Sequence, residues 1–265
     1  MEKNSLTLPA AIVIAGALIA GAVFYASYTP STTPSVPTGR AVSNESEINL
    51  KAVSADEHIL GNPNAQLKIV EFSDTECPFC KTFHTTMQQI VSKYGKTGEI
   101  AWIYRHFPLD NIHPKTRKEA EATECVDELK GNSGFWTYLN AIFSTTPANN
   151  NLDPAVLLQL AKAEQVNEQS FQTCLNSGKY AQKVDDQYQD GIGVGVQGTP
   201  HSVIIADKPF SSQTIASVLA LYEKYRDSQT GELPVKTSTD GLKVSVSGAI
   251  PYPLFEQTVS LLLGK

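Results

Sequence analysis

The sequence predicts an α/β fold with an inserted helical subdomain, preceded by one N-terminal transmembrane helix. Three observations lead to this prediction. Short apolar runs typical of strands lie on both sides of a long stretch with helical periodicity. The first of these runs leads directly into Cys77-Pro78-Phe79-Cys80, which opens an amphipathic helix. Residues 6–28 contain no charged side chain.

The uncharged stretch 6–28 is long enough to cross a bilayer core of roughly 30 Å as a helix. A cleaved secretory signal has a shorter apolar core and a small-x-small site, and Tyr25-Ala26-Ser27-Tyr28 offers no convincing one. We therefore expect residues 1–28 to form a cytoplasmic tip and an uncleaved single-pass anchor in the cell membrane, with the lipid bilayer contacted through residues 6–28. The rest of the chain would lie on the extracytoplasmic side. The alternative is a secreted or periplasmic protein released by signal cleavage.

Residues 29–47 are rich in Ser, Thr and Pro and have no apolar period, which is typical of a flexible linker. The remaining residues 48–265 can bury one sizeable core. The net charge of −6 gives the chain no excess of basic residues, which argues against nucleic acid as a partner.

Within residues 48–265 a predicted strand over 67–72 is followed by a helix over 78–94, whose apolar side chains recur every three or four positions. Pro78 suits the first helical position, where its missing N–H costs nothing, and Gly95 supplies the stop. The other predicted strands cover 99–107, 201–206 and 242–247, and the other predicted helices cover 114–130, 135–143, 155–164, 168–176, 180–190 and 251–263.

The two cysteines at the start of this helix are suited to redox chemistry. The sulfur of Cys77 lies beside unpaired N–H groups and the positive end of the helix dipole, which stabilise a thiolate. A fall in its pKa from roughly 8.5 to about 5 would make nearly all of it thiolate at pH 7. Cys80 lies one turn further on, so the pair can cycle between dithiol and disulfide. We expect Cys77 to be the exposed attacking sulfur and Cys80 the buried resolving one.

Two other kinds of site fit the sequence less well. A zinc site needs four ligands, but Cys125 and Cys174 stand alone and the five histidines include no His-x-x-x-His pair, so we expect no metal. Gly193-Val194-Gly195-Val196-Gln197-Gly198 matches a dinucleotide-binding pattern, but a predicted helix precedes it and a strand follows, which is the reverse of the required order. We expect no cofactor.

The order of elements is the thioredoxin plan with a helical domain inserted, and over residues 60–263 the chain resembles the DsbA-like family of thiol-disulfide oxidoreductases. The resemblance implies a thioredoxin-like fold with a helical insert at about 112–190. The matching segments are Gly61-Asn62-Pro63, Val70-Glu71-Phe72-Ser73-Asp74, Cys77-Pro78-Phe79-Cys80-Lys81, Phe83-His84, Arg105-His106-Phe107-Pro108-Leu109, His113-Pro114, Phe135-Trp136 and Gly198-Thr199-Pro200.

The resemblance implies a role for three further residues. It makes Pro200 a cis proline whose loop lies against the Cys77–Cys80 disulfide, where the Thr199 backbone can pair with a substrate strand. Without the cysteines, an ordinary turn proline would be the simpler interpretation. It also places an acidic residue at Glu71. A carboxylate beneath the helix start would have a raised pKa and could exchange a proton with Cys80, whereas the alternative is an exposed strand face.

The helical insert contains the two cysteines that lie outside the Cys77–Cys80 pair. Cys125 and Cys174 lie on predicted helices, and leftover cysteines in even number usually pair in exported proteins, so we expect a structural disulfide. The alternative is two unrelated buried thiols.

The chain departs from the family by an extra insert at about 207–241, which contains an amphipathic helical pattern over 214–225 and then a polar return. Whether it approaches the Thr199-Pro200 loop stays open.

These features together predict a membrane-anchored, extracytoplasmic oxidoreductase that oxidises substrate cysteines through Cys77–Cys80. The resemblance implies an intermediate redox poise, because Pro78-Phe79 lacks the histidine of the most oxidising members. Its expected partners are reduced or unfolded exported proteins and a membrane redox partner that reoxidises it. One alternative is a disulfide isomerase or reductase. Another is a non-redox thioredoxin-like binding module, against which the intact cysteine pair argues.

Overall fold

The structure, a computed structural model, describes residues 45–265. The predicted anchor and residues 29–44 of the predicted linker lie outside the described residues. Among residues 45–265, no helix is both long and apolar enough to span a bilayer. The end of the predicted linker contributes a two-residue strand, β1 (Glu45–Ser46).

The strands of the described chain form one mixed sheet of seven. The strands after β1 are β2 (His58–Gly61), β3 (Leu67–Ser73), β4 (Ile100–His106), β5 (His201–Ala206), β6 (Val235–Ser238) and β7 (Lys243–Ser247). Their order across the sheet is β1-β6-β7-β5-β3-β4-β2. β3 and β4 run parallel, and β5 runs antiparallel to both β3 and β7. All of β4 and nearly all of β3 are buried, as strands covered on both faces must be.

Helices cover the sheet and form the insert. Helix α1 (Pro78–Tyr94) has the predicted bounds and packs beside the C-terminal helix through the rings of Phe83 and Phe255, whose centroids lie 5.1 Å apart. Gly131, with φ of 72°, interrupts the first insert helix where the sequence predicts its end. The other helices are α2 (Thr116–Thr145), α3 (Pro154–Ala163), α4 (Glu168–Ser177), α5 (Ala181–Val194), α6 (Ser212–Tyr222) and α7 (Tyr252–Leu262).

The predicted end of the last insert helix at residue 190 is wrong, because α5 continues to Val194. Gly191 lies inside the helix, where a Cβ would come within 2.5 Å of the Phe107 side chain. The glycine therefore permits close packing against Phe107 and does not end the helix. Gly195, in the left-handed region at φ of 89°, ends it.

Three strands were not predicted from the sequence: the two-residue β1, β2 and β6. β2 pairs antiparallel with β4 at one side of the sheet, and β6 pairs antiparallel with β7 near the other. β6 lies in the predicted polar return of the extra insert. It was not predicted as a strand because three of its four residues are polar and show no apolar alternation. The insert thus contributes a helix, α6, and a strand of the sheet, β6.

The helical insert has its own apolar core, which includes Cys125 and Cys174. The structure joins these two residues in a disulfide, with their Cα atoms 5.9 Å apart and a sequence separation of 49. The alternative of two unrelated thiols does not hold. The bridge links α2 to α4 through the centre of this core.

Removing this bridge is expected to lower the free energy of unfolding by about 4 kcal/mol, because an open chain of this length gains loop entropy when unfolded. The test is urea unfolding of Cys125→Ala/Cys174→Ala against wild type. Cys77→Ala/Cys80→Ala serves as the matched control for lost buried sulfur, since it leaves the bridge intact. A loss no larger than that of the control would contradict the prediction.

Candidate active site

Cys77 lies where the central strand β3 passes through a three-residue turn into α1. It is the N-cap residue of the helix, with an extended backbone at φ of −77° and ψ of 121°, and Pro78 begins the first turn. Cys80 follows within that turn, and both cysteines are free thiols. The sequence placed both residues where the structure has them.

The expectation that Cys77 is exposed is wrong. Its side chain is 3% exposed and that of Cys80 is fully buried. Cys77 is covered because the loop before β5 lies against it, and its thiol donates to the Thr199 carbonyl oxygen at 3.4 Å. Of the two sulfurs, that of Cys77 still borders a surface cleft.

The two thiols have opposite acidities. The pKa of Cys77 falls from 9.0 to about 6, chiefly through a hydrogen bond from the Cys80 thiol, while burial opposes the shift. The Thr199 side chain and the backbone N–H groups of Phe79 and Cys80 lower it further. Burial raises the pKa of Cys80 well above 9, and its interactions with Cys77 add to this. At neutral pH the charge therefore resides on Cys77 and the proton on Cys80.

Alkylation of the reduced protein by iodoacetamide is expected to rise with pH around a midpoint near 6, because only the thiolate of Cys77 reacts. Cys80→Ala should move the midpoint upward, since it removes the largest stabilising hydrogen bond. Mass spectrometry from about pH 4 to about pH 9 measures the rate at each cysteine. A midpoint near the ordinary thiol value, about 8.5, would contradict the assignment.

The Thr199–Pro200 loop is the second part of the site. Its peptide bond is cis, and the Pro200 carbonyl accepts a hydrogen bond from the Gly248 N–H at 2.9 Å. The Thr199 hydroxyl is buried and has no hydrogen-bond partner in the described chain. It lowers the pKa of both Cys77 and Cys80, so it lies where it can donate to either thiolate.

Glu71 lies beneath the start of α1, not on an exposed strand face. It is fully buried and shares a face of β3 with Ile69, which packs in the same core as the α1 residue Met87. Its carboxylate oxygens make no hydrogen bond in the described chain. Burial raises the pKa of Glu71 to about 7, although nearby polar groups of Ser73 and Trp102 lower it, and the charge of Cys77 raises it. Glu71 can therefore hold or release a proton near neutral pH.

This raised pKa predicts a pH-dependent cost to stability. The folded-state pKa of Glu71 lies above the unfolded value of 4.5. Its contribution to the free energy of unfolding is therefore fully present below pH 4.5 and is lost as pH rises through about 7. Glu71→Gln removes that loss. Relative to wild type, its free energy of unfolding should rise by about 3 kcal/mol between pH 4 and pH 8. Urea unfolding of the reduced proteins measures it, with exposed Glu168→Gln as control; parallel pH profiles would contradict it.

An apolar cleft of about 690 Å³ opens beside Cys77. Three large apolar side chains border it and are unusually exposed: Phe79 by 64%, Ile112 by 64% and Ile192 by 49%. Exposed apolar side chains grouped in this way are typical of surfaces that bind other polypeptides. The thiol most disposed to react therefore faces a surface suited to an unfolded chain.

The sequence model of the family described as thioredoxin matches residues 54–224, which is more than half of the chain. The chain belongs to the thioredoxin family. Among solved structures, this thioredoxin-family protein is similar to α-DsbA1 of Wolbachia pipientis, with 21% identity, a TM-score of 0.60 and coverage of 80% of this chain and 93% of that one. BdbD from Bacillus subtilis, in its oxidised form, has 16% identity, a TM-score of 0.60 and coverage of 83% and 100%. The fold is therefore DsbA-like.

One of the curated relatives is named as an ion transporter. The Na⁺/H⁺ antiporter NhaA 1 of Mycolicibacterium gilvum is 27% identical over 146 residues, which cover 54% of this chain and 22% of the antiporter. The chain thus spans from about a tenth to about a quarter of the length of the curated relatives it matches. The match describes a shared segment, and nothing about ion transport follows from it for this thioredoxin-family protein.

One residue beside Cys77 was missed by the sequence analysis. The buried carboxylate of Glu76 accepts hydrogen bonds from the Leu152 N–H at 2.8 Å, the Asn151 N–H at 3.2 Å and a threonine hydroxyl. It holds a loop in which residues 148–150 have φ between 55° and 65°, a region that costs about 1–2 kcal/mol per residue. Asn149 of this loop borders the cleft. The run of asparagines was the available signal, since asparagine tolerates this conformation.

One group in the described chain has the composition of a metal site: His58, Glu124 and Asp127 bring three ligand atoms within 4.8 Å of one another. However, the Lys183 ammonium lies 2.6 Å from Glu124, and His58 already contacts Glu124 at 2.9 Å and Asp127 at 3.6 Å. Although burial opposes it, hydrogen bonds from His106 and His58 hold the pKa of Glu124 well below its usual value. The group is a buried ion-pair network and does not offer a cation site.

Proposed function

We propose that this protein is a thiol-disulfide oxidoreductase that oxidises pairs of substrate cysteines through a Cys77–Cys80 disulfide. The observation that carries the proposal is the opposite acidity of the two adjacent thiols. Cys77, with a pKa of about 6, borders the apolar cleft, and Cys80, with a raised pKa, lies buried behind it. Such a pair can exchange a disulfide with a bound polypeptide without a cofactor.

The reaction begins when a substrate thiolate attacks the Cys77 sulfur of the oxidised protein. The Cys77–Cys80 bond breaks, a mixed disulfide forms at Cys77, and Cys80 leaves with the electron pair. A second substrate thiolate then attacks the substrate sulfur of the mixed disulfide and releases Cys77 as a thiolate. The substrate loses two electrons and the protein gains them. Because the pKa of Cys77 is low, it is a good leaving group in this second step.

Proton balance assigns a role to Glu71. The substrate gives up two protons; one ends on Cys80, whose raised pKa requires it, and the other passes to solvent. Cys80 is fully buried and water has little access to it, so a buried donor is needed. Glu71, with a pKa of about 7, supports this proton transfer beneath the start of α1.

The location and partners of the enzyme are part of the proposal. Residues 6–28 would anchor it in the membrane with residues 48–265 on the extracytoplasmic side, where disulfides persist. Its substrates would be reduced or unfolded exported proteins, which suits the exposed apolar rim of Phe79, Ile112 and Ile192. A membrane oxidant would then restore the Cys77–Cys80 disulfide.

The test mixes the oxidised protein with a reduced peptide that carries two cysteines. One equivalent of peptide should become oxidised for each Cys77–Cys80 pair reduced, as measured by thiol labelling and mass spectrometry. Cys77→Ala/Cys80→Ala, which retains the Cys125–Cys174 bridge, is the control and should oxidise none. If the reduced protein instead reduces an oxidised peptide completely, and the oxidised protein leaves dithiols unchanged, a reductase replaces the proposed oxidase.

A further inference from the structure

A second groove lies on the other side of the Thr199–Pro200 loop. Its volume is about 770 Å³, and Gln197, Gly198 and Thr199 line both this groove and the apolar cleft. Pro200 borders the second groove alone. The two surfaces are therefore continuous across the residues that cover Cys77, and an extended chain crossing that loop passes from one into the other.

The extra insert, residues 207–241, builds the outer wall of this groove. Its return strand is fixed in place: the Pro234 carbonyl accepts from the Ser247 N–H at 2.8 Å, and Leu233 and Val235 are buried. The next residue, Gly248, donates to the Pro200 carbonyl at 2.9 Å. The insert is thus attached to the strand end that supports the cis-proline loop.

The turn that carries two of the groove's acidic side chains, Asp227 and Glu232, is held by its own hydrogen bonds. Asp227 accepts hydrogen bonds from the N–H groups of Gln229 at 2.8 Å and Thr230 at 2.7 Å. Its own N–H donates to the Glu232 carbonyl at 2.8 Å. Both acidic side chains are nevertheless exposed, so their charges face the groove and solvent. The turn presents them at fixed positions.

The charges that line the groove are mainly negative. Three carboxylates, of Glu47, Asp227 and Glu232, face one ammonium, that of Lys236, which already lies 3.6 Å from Glu232. His201 also lines it, but burial lowers its pKa to about 4, so it adds no positive charge at neutral pH. The groove retains an excess of two negative charges, and nothing in it favours an acidic ligand.

We propose that this groove is a second substrate subsite, which binds the part of the polypeptide that continues past the reacting cysteine and favours segments rich in lysine or arginine. The inference rests on the proposed function, since it extends the same substrate path. The apolar cleft would hold one side of the substrate and the acidic groove the other, with the Thr199 backbone between them. The extra insert therefore sets substrate selectivity.

The test compares two peptides that share the same core, which contains two cysteines. One peptide carries two lysines on each flank of the core, and the other carries two glutamates. With wild type, oxidation of the dithiol form should be about 3- to 10-fold faster in kcat/KM for the lysine peptide at low salt, and the difference should shrink at high salt. Asp227→Asn/Glu232→Gln should abolish the preference. These substitutions keep the hydrogen-bond acceptors of the turn, and equal melting temperatures would show an intact fold.

The matched control is Glu128→Gln/Glu168→Gln, which changes the net charge equally at two exposed, lysine-paired carboxylates of the helical insert and should keep the preference. A binding arm uses fluorescein-labelled peptides with serine in place of cysteine, titrated by anisotropy. If wild type binds both equally, or if the groove variant keeps the preference, the inference is wrong. If no peptide is oxidised but the lysine peptide binds more tightly, the proposed function fails and the groove stands.

Discussion

Cys80→Ala is expected to make the protein accumulate mixed disulfides with its substrates, whereas Cys77→Ala is expected to accumulate none. When a substrate disulfide is offered, the charged Cys77 sulfur, which borders the cleft, attacks one of the two substrate sulfurs. The substrate disulfide breaks, a mixed disulfide forms at Cys77, and the other substrate sulfur leaves as a thiolate. Without Cys80 no internal thiol can resolve that bond, and the complex persists. Each variant should lose dithiol oxidation by on the order of a thousandfold or more, because the two sulfurs act as one unit.

The trapped species are measured on non-reducing gels after rapid acid quenching, with mass spectrometry to locate the linked cysteine. Cys77→Ala/Cys80→Ala reports any trapping through the other cysteines. Complexes formed equally by both single variants would show that either sulfur can attack, which would remove the assignment. Complexes formed by Cys77→Ala alone would reverse it.

The parts of the site that could be predicted from sequence are those set by local chemistry. The bounds of α1 follow from an apolar period, a proline at its first turn and a glycine after its last, and all three signals lie within one segment. The position of Cys77 and Cys80 at the start of this helix followed from the same three signals. The thioredoxin-like fold was predicted from the order of the strands and helices that do have a local pattern, together with the resemblance to the DsbA-like family.

The parts that could not be predicted depend on contacts between distant segments. Cys77 is buried by the Thr199 loop, 122 residues further along the chain, and no local pattern encodes that cover. The helix predicted over 180–190 continues past Gly191, because the missing side chain of this glycine permits close packing against Phe107. The strand β6 is short and polar, and it exists because β7 offers it a partner.

The oxidised protein is expected to melt at a lower temperature than the protein whose Cys77–Cys80 pair alone has been reduced. Reduction creates a Cys77 thiolate that the folded site stabilises and that the unfolded chain does not. Because the folded-state pKa is depressed from 9.0 to about 6, this stability is fully present above pH 9 and is lost as pH falls through about 6. The difference in melting temperature should therefore be largest near pH 9 and smallest below pH 6.

Calorimetry of both redox forms at about pH 5, 7 and 9 measures this difference, and each kcal/mol should move the melting temperature by about 2–4 °C in a domain of this size. Mass spectrometry must show that Cys125–Cys174 stays oxidised, because its loss would mask the effect. Cys77→Ala/Cys80→Ala should melt identically with and without the mild reductant. A disulfide that destabilises its own fold is readily passed to a substrate, which is what an oxidase requires. If selective reduction leaves the melting temperature unchanged or lowers it at every pH, the oxidase direction is wrong and a reductase better fits the same two thiols.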